Sequence, residues 1–163
     1  MVSEAAAPAA FSPETRAAID REIAKYPQQR GALLPALHLV QAERGFISRE
    51  QARALAEIFE IRPIEVMEVV SFYNMFYDRP QGRHHVYVCT NLPCSLRGAR
   101  QLLGALEAHL GVKPGETTKD GRITLGHEEC LGACAYAPML RVDGTYYENL
   151  DVAAAKRIVD GLA

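Results

Sequence analysis

At 163 residues, with a formal net charge of −2 and 48% hydrophobic residues, the chain has room for one medium domain or two small ones and the composition of an ordinary soluble protein. No run of Lys and Arg stands ready to neutralise phosphates, which argues against a nucleic-acid partner, and no apolar segment approaches the length of a membrane span, which argues against direct membrane insertion. Met1 to Ala10 carries Glu4 and no basic flank, matching neither a secretory signal nor an Arg-rich transit peptide, so the expected compartment is a reducing cytoplasm that disfavours disulfides.

In chain order, residues 1–11 are rich in small residues and read as a disordered or partner-wrapped tail. Ser12-Pro13 is a helix start, a capping residue followed by proline at the first helical position. Ile19, Ile23 and Tyr26 then mark one face, which Pro27 ends. A second helix carries Leu33, Leu34, Leu37 and Val40 and stops near Gly45. Ser48 with Gln51 forms a capping box for a third, bearing Ala52, Leu55, Ala56 and Phe59. Pro63 opens a fourth, with Val66, Val69, Val70 and Tyr73 at helical spacing. Such stripes are the signature of a helix-bundle core. The polar stretch from Asp78 to Gly82 is a linker, and the hydrophobic period changes across it. Val86 and Val88 alternate as a strand, a helix follows through Leu96, Ala99, Leu103, Leu106 and Leu110, and Ile123 with Leu125 begins a second strand. Met139 to Val142 and Thr145 to Tyr147 flank the turn pair Asp143-Gly144 of a tight hairpin, and a last helix follows Asp151. The expected organisation is a tail over 1–11, a four-helix bundle over 12–78 and an α/β domain over 82–163.

All four cysteines lie in the second half, as Cys89-x4-Cys94 and Cys130-x3-Cys134, each pair just after an apolar alternating run. Each pair therefore belongs in a loop leaving a strand end, and two such loops side by side make one four-thiolate pocket. Spacing leaves a structural zinc ion, a [2Fe-2S] cluster, two disulfides and unligated core cysteines all open. Asn91, Pro93, Gly132 and Ala133 are small or turn-forming and let backbone N–H groups approach sulfur. Leu92, Leu96, Leu131 and Ala135 are expected as an apolar shell, and the helix after Cys94 as a positive end aimed at the thiolates. Arg97 and Arg100 either offset negative charge there or form a solvated helix face. His84 and His85 precede the first strand and are expected at an exposed or edge position. His127 is a poor ligand candidate where four cysteines are available.

Together with these cysteines, the segments Tyr26-Pro27, Leu33 to Leu37, Glu43 to Ser48, Glu68 to Phe76, His84 to Cys89, Pro93 to Gly98, Gly115 to Thr118, Glu129 to Cys134, Ala137 to Met139 and Tyr146 to Leu150 stand in an order that resembles one family. It is the small iron-sulfur subunit of the NADH-dehydrogenase module of respiratory complex I, the bacterial NADH-quinone oxidoreductase. The resemblance implies an α+β chain in which a helical bundle precedes a thioredoxin-like ferredoxin domain. It further implies that Cys89, Cys94, Cys130 and Cys134 ligate one [2Fe-2S] cluster, with no catalytic residue on this chain. The cluster would accept single electrons from FMN on a larger FMN- and NADH-binding iron-sulfur subunit. Other peripheral-arm subunits are implied as further partners, on the inner face of the cell membrane. NAD-dependent formate dehydrogenases and NAD(P)-reducing hydrogenases share the pattern. A structural zinc module for protein binding is the rival of another class. The chain itself has neither a G-x-G-x-x-G nor a G-x-x-x-x-G-K-[ST] sequence, so FMN and NAD are expected on the partner.

Overall fold

A computed structural model describes residues 10–163. Residues 1–9, most of the expected tail, lie outside the described residues. The chain divides into two compact units, one ending at Pro80 and one covering Gln81–Ala163.

The first unit holds helices α1 (Pro13–Ile23), α2 (Leu33–Arg44), α3 (Arg49–Phe59) and α4 (Pro63–Phe72), with a 3-10 turn over Gln29–Ala32. Their ends are written in local chemistry. The Ser12 hydroxyl accepts from the Thr15 N–H at 3.1 Å, with Pro13 at the first position. At α3 the Ser48 N–H donates to Gln51 Oε1 (2.9 Å) and the Gln51 N–H to Ser48 Oγ (3.2 Å), so two otherwise orphaned donors satisfy each other's residues. α2 stops at Gly45, whose φ of 80° is the left-handed conformation that glycine adopts without a Cβ penalty. Ile19, Leu37, Val40, Ile47, Leu55, Phe59, Val66, Val70 and Phe76 form the core of this unit. The Gln41 amide of α2 fastens the chain after α4, donating to the Met75 carbonyl and accepting from the Tyr77 N–H, both at 2.8 Å. Phe76 is buried there, while Phe72 is 79% exposed.

The second unit is built on a five-stranded sheet in the order β2-β3-β1-β4-β5, from β1 (His84–Cys89), β2 (Glu116–Thr117), β3 (Ile123–Glu128), β4 (Leu140–Val142) and β5 (Thr145–Tyr147). β1 is central, parallel to β3 and antiparallel to β4, and a parallel partner requires the crossover that α5 (Leu92–Leu96) and α6 (Ala99–Leu110) supply. Val86 and Val88 of β1, Leu125 of β3 and Leu140 and Val142 of β4 share a core with Leu102 and Leu106 of α6 and with Ala155 and Val159 of α7 (Val152–Asp160). Asp151 caps α7 by accepting from the Ala154 N–H at 2.6 Å. Arg122 Nη1 holds the far end of α7 through the Val159 and Leu162 carbonyls, a cation placed where a helix presents unpaired acceptors. The Ala137–Pro138 peptide bond is cis.

Two local expectations are corrected. The single helix expected after Cys94 is two: Cys94 lies inside the short α5, and α6 begins only at Ala99, because Gly98 takes φ 94° and turns the chain. The histidine pair does not precede the strand but opens it, and β1 is a central strand rather than an edge. His84 Nδ1 meets Asp143 Oδ2 at 3.0 Å, and the His85 N–H donates to Asp143 Oδ1 at 2.8 Å.

Candidate functional site

Because β1 and β3 run parallel, their C-terminal ends fall at one edge of the sheet, and the last pair in their register is Cys89 with Glu128. Both cysteine loops leave from that edge. The first is fastened by three bonds: the Thr90 N–H to the Glu128 carbonyl at 2.9 Å, the Thr90 hydroxyl to the same oxygen at 3.2 Å, and the Ser95 hydroxyl to the Thr90 carbonyl at 2.8 Å. The Cys89 N–H donates to the Met139 carbonyl at 3.2 Å, which anchors the cysteine to the chain entering β4. Asn91 then caps α5, its side chain accepting from the Leu92 N–H at 2.7 Å, and α5 carries Cys94 inward.

The four sulfurs divide into two kinds. Cys89 and Cys94 are 2% and 1% exposed, whereas Cys130 and Cys134 stand on the exposed second loop, and none is in a disulfide. Burial pushes the Cys94 thiol up to about 11, the neighbouring Cys89 sulfur and more weakly Cys134 add to that, and the Met139 N–H works against it. Cys94 thus lies within electrostatic reach of one sulfur from its own pair and one from the other. Cys130 accepts from the Gly132 N–H at 3.3 Å, and Gly132 has φ 79°, a turn that aims the amide back at the sulfur. Among the described residues Cys130 has no hydrogen bond to the other three sulfurs, and no three His, Cys, Asp or Glu side chains are gathered closely enough to hold a metal ion. The donor set itself is all sulfur, with one N–H already directed at it. That chemistry fits a thiolate-bound iron-sulfur group, for which cysteine ligands and N–H donors to sulfur are the recurring parts.

The surroundings differ from the expected apolar shell. Leu92 and Leu96 are 67% and 78% exposed and Ala135 is exposed, whereas Leu131 is half-buried against the core that contains Cys89 and Cys94; Tyr136, two residues after Cys134, is also exposed. Thr90, Arg100, Leu103, Pro114, His127 and Glu129 line an open pocket beside the same loops, which puts His127 and Arg100 near the site but outside the sulfur set. Sequence reasoning missed the roles of Thr90, Ser95 and Met139. Thr90 and Met139 depend on the register of β1 against β3 and β4, which brings the Glu128 and Met139 carbonyls to the loop, and Ser95 acts within the loop through a hydroxyl that gives no periodic signal.

Residues 19–163 match the family model described as thioredoxin-like [2Fe-2S] ferredoxin. The chain is 39% identical over 145 residues to an NADH-quinone oxidoreductase subunit of Rhizobium meliloti, covering 89% of this chain and 86% of that one. It is 39% identical over 160 residues to the corresponding NADH-quinone oxidoreductase subunit of Mycobacterium bovis, covering 96% of this chain and 64% of that longer protein. Among solved structures, an NAD+-reducing [NiFe]-hydrogenase in the air-oxidised state superposes with a TM-score of 0.67 at 28% identity, over 78% of this chain and 22% of that one. The parallel strands, the paired cysteine loops and a family match that runs through both units agree: the chain belongs to the thioredoxin-like [2Fe-2S] ferredoxin family.

Proposed function

We propose that this chain is the electron-transfer subunit of an NADH:quinone oxidoreductase, holding one [2Fe-2S] cluster on Cys89, Cys94, Cys130 and Cys134. The observation that carries this reading is the parallel pairing of β1 with β3, which delivers both cysteine pairs to one sheet edge. When bound, the cluster supplies a one-electron couple, and the chain needs no nucleophile or general base beside it. What the chain contributes is position and surroundings. Cys89 and Cys94 are fixed on a strand end and a short helix out of water, and the Gly132 N–H stabilises negative charge on Cys130, which raises the potential of a centre bound there. FMN and the NADH site belong to a larger partner subunit, and further peripheral-arm subunits join them on the inner face of the membrane. The four helices of the first unit form the bundle that docks on the flavin-bearing subunit, and residues 82–163 form the cluster domain. No helix among the described residues is long and apolar enough to cross a membrane.

Chain purified without oxygen will be red-brown, with about two irons and two sulfides per chain, and will become paramagnetic on one-electron reduction. A colourless protein holding one zinc overturns the reading in favour of a structural zinc module. The superposition on the NAD+-reducing hydrogenase supports a second reading, the equivalent subunit of such an enzyme. Co-purification with a nickel-containing partner would select it.

A further inference from the structure

α3 and α4 leave between them a groove of about 330 Å3 lined by Arg49, Ala52, Arg53, Pro63, Ile64 and Met67. Of its apolar lining, Ile64 in the first turn of α4 is 56% exposed, Met67 is half-buried and Ala52 is buried. Its rim is cationic. Arg49 and Arg53 stand one turn apart on α3, both exposed, and among the described residues neither has an ion-pair or hydrogen-bond partner. In the same unit Arg16 meets Asp20 at 3.1 Å and Arg30 and Arg62 meet Glu65 at 3.0 and 3.1 Å, while Arg21 and Arg44, like Arg49 and Arg53, stand without an ion pair among the described residues. Among the described residues no carboxylate lines the groove.

Two like charges at i and i+4 repel one another, and an apolar strip beside them gains nothing from water. Such a surface is complementary to a segment with the opposite pattern: an apolar side chain to lie against Ile64 and Met67, flanked by two carboxylates one helical turn apart to meet Arg49 and Arg53. We infer that the α3–α4 groove docks an acidic amphipathic helix of a partner protein. This deepens the reading of the first unit as a docking element, and rests on it. A concave groove whose paired cations are spaced like successive turns of a helix favours a protein segment over the flat, diffuse charge of an anionic membrane.

The test uses the full chain with its cluster, titrated with a synthetic helical peptide of roughly 15 residues, long enough to hold a helix, carrying two Glu one turn apart with Leu between them. A twin peptide has Lys at both Glu positions, and vesicles containing phosphatidylglycerol form the third arm. The Glu peptide is expected to bind in a salt-sensitive manner and the Lys peptide at least tenfold more weakly. The double variant Arg49→Glu, Arg53→Glu should reverse that order, each tenfold step being about 1.4 kcal/mol. Ile64→Ala should weaken both peptides without changing which is preferred. Equal binding of the two peptides, binding of neither, an unchanged order in the double variant, or vesicle binding in place of peptide binding overturns the inference. Association of the intact chain with the flavin-bearing subunit tests the docking role of the whole unit separately, so loss of that association and loss of peptide preference are distinct failures.

Discussion

Gly126 of β3 lies opposite Tyr87 of β1, and a Cβ added there would come within 2.5 Å of the Tyr87 ring. Tyr87 cannot swing aside freely, since Arg141 sits over its other side with Cζ 5.1 Å from the ring centroid and itself reaches Glu128 at 3.6 Å. Gly126→Ala should therefore cost roughly 1–3 kcal/mol, the usual range for overpacking, and lower the melting temperature of the second unit by several degrees. Glu65 makes a prediction of another kind. The Arg62 N–H, the Arg62 guanidinium and then Arg30 hold its carboxyl down from 4.5 to about 2. A depressed carboxyl stabilises the fold above its unfolded value and loses that contribution as pH falls through the folded one. Glu65→Gln should melt below the parent chain at pH 7, and the gap should close as pH falls from 4.5 toward 2, a comparison that thermal melts across pH will check. The ring that Gly126 accommodates was not legible in the sequence, because the facing residue depends on register.

At the scale of elements, the capping box of α3 is the most exposed to test. Ser48→Ala removes the acceptor for the Gln51 N–H and should cost about 1 kcal/mol, read as a lower midpoint in urea with unchanged slope. This start, those at Ser12-Pro13 and Pro63, the Asp143-Gly144 hairpin and the Asp151 cap were all legible, since each is set by residues within one turn of one another. Elements fixed by distant partners were not. β2 is two residues long and exists only as a pairing of Glu116 and Thr117 with Leu125 and Thr124. The break between α5 and α6 rests on one backbone angle at Gly98, inside a stretch whose apolar spacing reads as continuous helix. That both cysteine pairs come at strand ends was legible, but that Cys89 is the last residue of β1 and Cys94 lies in α5 was not. That Leu92 and Leu96 point outward was not legible either, since periodicity identifies an apolar position without saying what covers it.

For the whole molecule, the division at Pro80 and the separate cores of the two units predict that the parts can be parted. A chain of residues 82–163 should still assemble a [2Fe-2S] centre, with reduced stability, and fail to associate with the flavin-bearing subunit in a pull-down. Association as tight as that of the full chain would show that the helices are not the docking element. The unequal placement of the sulfurs has a consequence for how the protein is made. Cys130 and Cys134 are exposed while Cys89 and Cys94 are buried. A thiol-specific alkylating agent should therefore tag the outer pair of the metal-free chain well before the inner pair, as peptide mass spectrometry will record. On the proposed ligand set, a donor of iron and sulfide, and equally an oxidant, would meet Cys130 and Cys134 before Cys89 and Cys94.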